Sequence, residues 1–201
     1  SISVITKDFM SDIGAKDLEG LLVYTLGTEV NGVGGNFSDA GTVDNPNGAE
    51  TDYDAAFASA TPSTRVRGLT SADLSRDFFV SRLPVDAYNI ERMEISRGPN
   101  AMLFGLGSPS GIINASLISA RADRNRTELE LRTDQYGSFR SVLDHNQMLI
   151  RDKLALRVAG VYEDQAYKVE EAWRRNKRIF LTSSYRPFAD TTIKASVEFG
   201  D

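Results

Sequence analysis

Val85-Asp86-Ala87-Tyr88-Asn89-Ile90-Glu91-Arg92-Met93-Glu94-Ile95-Ser96-Arg97-Gly98-Pro99-Asn100-Ala101-Met102-Leu103-Phe104-Gly105, continuing through Gly107-Ser108-Pro109-Ser110-Gly111-Ile112-Ile113-Asn114, is the stretch on which the reading of this chain turns. Its pattern predicts a short helix over 87–92 and a strand over 93–96. Gly98-Pro99 makes a turn, and Asn100 is placed to cap a short helix running to Phe104 through its side-chain oxygen. Gly105, Gly107, Pro109 and Gly111 then form a tight connection, where φ > 0 is cheap for glycine, into an apolar segment at 112–118. Glu91, Arg92, Glu94 and Arg97 set opposite charges within one short run.

Outward from this stretch, the chain divides by charge. Up to Asn125 it is acidic; from Arg126 onward it is nearly balanced, which marks a boundary in that region. The first part mixes element types. Ile2, Val4 and Ile5 predict a short strand, and 16–24 places Leu18, Leu21, Leu22 and Tyr24 in a helical apolar pattern with Asp17 and Glu19 in its first turn. Strands are expected at 28–33, 65–67 and 77–80. Residues 36–63 carry Asp39, Asp44, Glu50, Asp52 and Asp54 without a Lys or Arg, and read as a long solvated loop or insertion.

The second part changes period. Leu129 and Leu131 alternate with Glu128, Glu130 and Arg132. Leu154, Leu156, Val158, Gly160 and Tyr162 alternate with Ala155, Arg157, Ala159, Val161 and Glu163. Ile193, Ala195, Val197 and Phe199 alternate with Lys194, Ser196 and Glu198. A period of two marks strands with one apolar and one mostly polar face. About five antiparallel strands are expected, with short turns at 151–153 and 189–190 and a longer polar connection at 165–176. Their length suits transmembrane β-strands; alternation alone suits a soluble sandwich or lipocalin-like barrel as well.

Composition bounds the function. The 201 residues are 41% hydrophobic and 25% charged, ordinary for a folded chain. A net charge of −5 argues against a dedicated nucleic-acid binder. With no cysteine and a single histidine, His145, thiolate metal sites, cysteine nucleophiles and a Ser-His-Asp triad are disfavoured. Nothing singles out the paired-carboxylate cleft of a glycan hydrolase, the Gly105-x-Gly107 spacing is not that of a dinucleotide loop, and no calcium-loop pattern is present. No catalytic, cofactor-binding or metal-ligating residue is expected, and the chain is not read as an enzyme. The opening residues lack a basic, long apolar leader, so the chain reads as a piece of something longer.

The 85–114 stretch resembles the plug domain of TonB-dependent outer-membrane receptors, in which a segment of the type YNIERIEVLRGPxSxLYGxGxxGGxIN recurs. Residues 3–6 resemble that family's early strand, 17–22 its DLxxLL helix, and Arg65-Val66-Arg67-Gly68 its xxRG strand. Tyr136-Gly137-Ser138-Phe139-Arg140 and Leu154-Ala155-Leu156-Arg157 resemble its first barrel strands. Ser110 stands where the family has the first of two glycines, Phe104 replaces a tyrosine, and 115–121 lacks the usual Thr-Lys.

The resemblance implies an α+β plug domain at 1–122 followed, at 123–201, by the first strands of an antiparallel transmembrane β-barrel. Five strands cannot close a barrel wide enough for a plug, since even sixteen to eighteen leave only an open channel; this is an incomplete barrel, and the isolated chain is expected to transport nothing. By resemblance the plug motif and its barrel contacts fall on Arg67, Gly68, Glu91, Arg92, Glu94, Arg97, Gly98, Pro99, Gly105, Gly111 and Asn114. Charged contacts in a wet lumen are worth about 0–1 kcal/mol each, enough to hold a plug that must still move. Leu154, Leu156, Val158, Tyr162, Ile193, Val197 and Phe199 would face lipid; Arg157, Glu163, Lys194 and Glu198 would face the lumen. Tyr53, Phe78, Phe79 and Trp173 are candidates for stacking on cargo.

The function so implied is active import of a scarce solute (an iron chelate or siderophore, cobalamin or an oligosaccharide) across the outer membrane of a Gram-negative-type bacterium. The plug would sit inside the barrel, open to the periplasm. TonB, with ExbB and ExbD, would supply energy through a TonB box lying before Ser1. A soluble ligand-binding or signalling module with a plug-like fold is the alternative.

Overall fold

The computed structural model describes residues 2–30, 64–68, 72–81, 83–98, 110–166 and 173–200. The chain forms two compact units, 1–117 and 118–201. The charge-based boundary falls a few residues further along.

The first unit is built on a five-stranded mixed sheet in the order β1-β6-β7-β4-β5. β1 (Ile2–Thr6) runs antiparallel to β6 (Ile90–Arg97), β6 antiparallel to β7 (Gly111–Leu117), β7 parallel to β4 (Asp73–Arg76), and β4 antiparallel to β5 (Phe79–Val80). The register aligns Ile5 with Met93 and Met93 with Ala115, then Ile95 with Ile113 and Ile113 with Leu74. That face packs with α1 (Lys7–Asp12) and α2 (Leu18–Leu22), whose Met10, Leu18, Leu21 and Leu22 join the same core. Side chains of this size stabilise by roughly 1.5–3 kcal/mol each when fully buried.

Local chemistry sets the helix starts. Thr6 Oγ1 accepts the Phe9 amide at 3.3 Å, and Asp17 Oδ1 accepts the Gly20 amide at 2.8 Å, each taking up an amide that the first turn leaves unpaired. A two-stranded pair, β2 (Thr28–Val30) and β3 (Thr64–Val66), adds Val30 and Val66 to the core.

Two expectations need correction. The helix at 87–92 shrinks to a 3-10 turn, Ala87–Asn89, capped by Asp86; from Ile90 the chain is already strand. Two flanking strands compete for those backbone groups, and ladder pairing overrides local helical preference. The strand at 77–80 shortens to β5, Phe79–Val80, behind a two-residue turn, Asp77-Phe78, that joins it to β4. The capped helix α1 has only six residues, too few for an apolar repeat to announce it. The acidic segment 36–63 and the helix capped by Asn100 lie outside the described residues.

Gly111 is required by its surroundings. Its φ is +119°, and a Cβ there would lie 1.9 Å from the Ser96 carbonyl oxygen across the β6–β7 pair.

The second unit is an open antiparallel meander, β8 (Arg126–Thr133), β9 (Phe139–Ile150), β10 (Leu154–Ala166), β11 (Trp173–Phe188) and β12 (Thr191–Gly200), each paired with its neighbour in sequence. The five strands match the expectation, and the sheet does not close. The polar connection expected at 165–176 is shorter: β10 runs to Ala166 and β11 starts at Trp173. Polar residues there belong to strands because the inward face of this sheet carries polar side chains such as Glu163 and Asn176 among its small apolar ones.

Candidate functional site

In the first unit, Asn114 joins three strands. It is 1% exposed, on the face of β7 turned away from the core. The register puts it between Glu94 of β6 and Ser75 of β4. Its Oδ1 accepts from Ser75 Oγ at 3.0 Å and from the Phe78 amide at 2.8 Å; its Nδ2 reaches Glu94 Oε2 and Ser116 Oγ, both at 3.4 Å. A buried amide with both ends satisfied costs little and fixes geometry.

What it fixes is a strained turn. Asp77 and Phe78 have φ of 47° and 67°, the two positive values of a type I′ hairpin that Gly and Asn normally supply. Three further hydrogen bonds hold it. The Asp77 amide donates to the Ala115 carbonyl at 3.0 Å, the Leu117 amide donates to Asp77 Oδ1 at 3.0 Å, and the Ser81 amide donates to the Leu74 carbonyl at 3.1 Å. Beyond the turn, Phe79 is 79% exposed, with Phe78 and Val80 also exposed. An aromatic side chain held at positive φ and presented to the outside is a feature found where strain serves a site.

The charged residues of the decisive stretch separate. Arg92 Nε donates to Glu94 Oε1 at 2.7 Å on the same strand; that hydrogen bond and charge raise the arginine's pKa above its ordinary value. Arg97 is buried and donates from Nη1 to Ser3 Oγ at 2.7 Å. Its pKa is lowered, first by burial and then by the like charge of Arg67. Arg67 stands in the left-handed region (φ 55°) ahead of Gly68 (φ 67°), with its amide on the Gly27 carbonyl at 2.9 Å. Glu91 is half-buried. Tyr53, Pro99 and Gly105 lie outside the described residues.

The second unit is inverted relative to a soluble sheet. On β10 the residues sharing a face with Arg157 and Glu163 are buried, while Leu156 and Tyr162 on the other face are exposed. Buried polar side chains include Arg140, Asp144, Asn146, Asn176 and Thr182. Exposed apolar ones include Leu129, Leu131, Leu143, Ile179, Leu181, Ile193, Val197 and Phe199. The polar face carries its own pairs. Arg157 grips Asp144 through two bonds, Nε to Oδ1 at 2.7 Å and Nη2 to Oδ2 at 2.6 Å, and donates from Nη1 to the Ser119 carbonyl at 3.1 Å. Arg140 lies 3.4 Å from Glu163. Asn146 pins the segment 118–125, accepting the Arg121 amide at 2.8 Å and donating to the Arg121 and Arg124 carbonyls at 2.9 and 2.7 Å. No local pattern links 146 to 121, so the sequence does not show this clamp. Lys194 is exposed on β12, one of the two edge strands of the sheet.

An apolar face turned out and a polar face turned in is the alternation of transmembrane β-strands, whose lipid-facing side chains are apolar and whose inward ones are polar. Residues 1–112 match the family described as TonB-dependent Receptor Plug Domain. The chain belongs to that family. As a TonB-dependent receptor plug with strands attached, it is 28% identical over 200 residues to the ferrichrome outer membrane transporter/phage receptor of Escherichia coli K12, covering 90% of this chain and 24% of that protein. Its fold matches Pseudomonas aeruginosa FpvA bound to pyoverdines with a TM-score of 0.79 at 18% identity, over 100% of this chain and 25% of the other. It also matches the alcaligin outer membrane receptor FauA of Bordetella pertussis, with a TM-score of 0.75 at 19% identity over 100% and 32% of the two chains. The chain therefore spans about a quarter to a third of the length of these relatives. They are receptors and transporters, not enzymes.

Proposed function

We propose that this chain is the N-terminal part of an outer-membrane transporter that captures a ferric siderophore and imports it with energy drawn from TonB, ExbB and ExbD. One observation carries the reading: a plug-family unit is followed in the same chain by a sheet whose apolar face is outward and whose polar face is buried. A plug needs a barrel, and such a sheet needs lipid. Cargo class follows from the relatives, whose names specify ferrichrome, pyoverdine and alcaligin.

Within this reading Phe78 and Phe79, on their braced turn, contact cargo, while Arg67, Glu91, Arg92, Glu94 and Arg97 brace the plug against the barrel. Energy coupling runs through a TonB box upstream of Ser1. The exposed leucines of β8 count against a soluble signalling module, which would gain nothing by displaying them.

The test is uptake of radioactive iron by the host under iron limitation, with the full-length gene intact or deleted and TonB present or absent. Loss of uptake of at least one ferric siderophore on deletion, and the same loss without TonB, is expected. Unchanged uptake of every iron chelate, cobalamin and oligosaccharide tried would overturn the proposal.

A further inference from the structure

Beyond β7 the chain does not run free. Residues 118–125 form neither helix nor strand, and a connection of that kind is ordinarily mobile. Here the sheet that follows takes up its backbone groups. Arg157 and Asn146, direct register partners on β10 and β9, form a bracket around it. Arg157 holds the Ser119 carbonyl, and Asn146 holds both backbone groups of Arg121 together with the Arg124 carbonyl. Every one of these bonds goes to main chain, so the grip does not depend on the side chains of the stretch. The Asp152 amide adds a bond to the Ala122 carbonyl at 2.9 Å, and the Met148 amide one to Asn125 Oδ1 at 2.7 Å. Ile118 and Ala120 are buried as well.

The bracket is itself fixed. Asp144 sets the plane of the Arg157 guanidinium through its two bonds. Asn146 is buried, and pulling the stretch away would leave its amide unpaired there, which is what makes such a bond expensive to break. On the near side of the junction Leu117 ends β7, and its amide donates to Asp77 Oδ1. Only Ile118 separates the two attachments. One residue spans at most ~3.6 Å, so the connection holds no slack.

Entry and exit of the first unit lie at opposite ends of its sheet. Register sets Ile2 beside Ser96, which faces Ile112, and sets Leu117 beside Ile90. Tension between those ends crosses both the β1–β6 and the β6–β7 ladders. Tension arises only if the exit is held; with a free exit, a pull at the entry displaces the unit whole.

We infer that Asn146 and Arg157 are positioning residues for import: they anchor the exit of the plug, so that force arriving ahead of β1 rearranges the interior of the plug instead of drawing it out as a body. The inference rests on the transporter reading above.

The experiment draws the full-length receptor, seated in phospholipid bilayers, from its N-terminus with a force probe, and measures uptake by the same variants in iron-starved cells. Extension of the wild type is expected to stop at Leu117. Asp144→Leu/Asn146→Leu/Arg157→Leu, which removes the bracket and leaves no unpaired charge, is expected to release 118–125 too, lengthening the final extension by about 28 Å at ~3.5 Å per residue. In cells, affinity for the ferric siderophore, read without TonB, is expected to be unchanged. Maximal TonB-driven uptake per binding site is expected to fall about tenfold or more. Normalising to binding sites separates this loss from a mere shortage of folded receptor. Heat-resistant gel mobility verifies the barrel, and Asn146→Leu alone serves if the triple variant does not fold. Equal final extension of wild type and variant, or unchanged uptake per site, would each overturn the inference. A wild-type receptor whose uptake needs no TonB would instead defeat the reading on which it rests.

Discussion

Asn114 Oδ1 accepts the backbone N–H of Phe78 at 2.8 Å, so a side chain on β7 fixes a turn that lies two strands' connection away in sequence. The same oxygen takes the Ser75 hydroxyl. Replacing Asn114 by Leu removes the acceptor that both donors share; for the buried Ser75 hydroxyl alone the loss is about 1–3 kcal/mol. In the full-length receptor, hydrogen exchange of peptides covering 73–80 is expected to quicken by one to two orders of magnitude, about the factor that 1.4–3 kcal/mol of local opening gives, while the strands of the second unit keep their protection. Unchanged exchange at 73–80 would show that the turn does not depend on Asn114.

Phe78 offers a way to separate strain from recognition. Its φ of 67° costs a non-glycine residue about 1–2 kcal/mol. Glycine removes that cost and adds back about 0.4–1 kcal/mol of chain entropy in the unfolded state. Phe78→Gly is therefore expected to leave the hairpin as stable or slightly more so, by up to about 1 kcal/mol, in exchange or denaturation measurements. If Phe78 contacts cargo, the same variant binds the ferric siderophore more weakly, by about tenfold for a lost aromatic contact. A variant that is both stable and fully competent to bind would remove Phe78 from the cargo site.

How much of this was written in the sequence depends on the range of the interaction. The helical pattern of Leu18, Leu21 and Leu22 and the alternation of Leu154, Leu156 and Val158 are local and legible; the cap that Asp17 makes and the approach of Gly111 to the Ser96 carbonyl across two strands are not. Five strands followed from a period of two. Local pattern shows only 93–96 of the strand Ile90–Arg97 and reads its start as helix, because its partners Ile2–Thr6 and Gly111–Leu117 lie far off in the chain. The hairpin at Asp77-Phe78 carried no Gly or Asn to announce it; what permits it is Asn114, a contact that no local window contains. Trp173 falls in the polar connection expected at 165–176, yet register places it on the same face as Ile179 and Leu181.

The Asp144–Arg157 pair is bidentate and almost wholly buried. Asp144→Ala leaves a guanidinium without its counter-charge, which costs about 3–5 kcal/mol in such places, whereas replacing both partners by Leu costs far less. Arg157 also bonds the Ser119 carbonyl, so the single variant disturbs the start of the segment 118–125 as well. The expected order of midpoint temperature, read by loss of heat-resistant gel mobility, is wild type close to Asp144→Leu/Arg157→Leu, with Asp144→Ala well below both. A double variant as damaged as the single would mean that the charges themselves are needed.

Leu181 decides between lipid and water as the neighbour of the outward face. It lies in a middle row of that face, flanked by Val158 and Val197, and is 37% exposed. In a water-soluble sandwich, an arginine at an exposed strand position changes stability by no more than about 0.5 kcal/mol. At the midplane of a bilayer it costs roughly 2–4 kcal/mol, and the cost falls to about 0–1 kcal/mol near the interfaces. Leu181→Arg in the full-length protein, refolded into phospholipid vesicles and titrated with guanidinium, is expected to show the larger loss, and Trp173→Arg at the end of the same strand the smaller. The gradient is the informative part: a packing defect at Leu181 would not vary with depth along β11. Equal, near-zero effects at both positions would mean that this face never meets hydrocarbon.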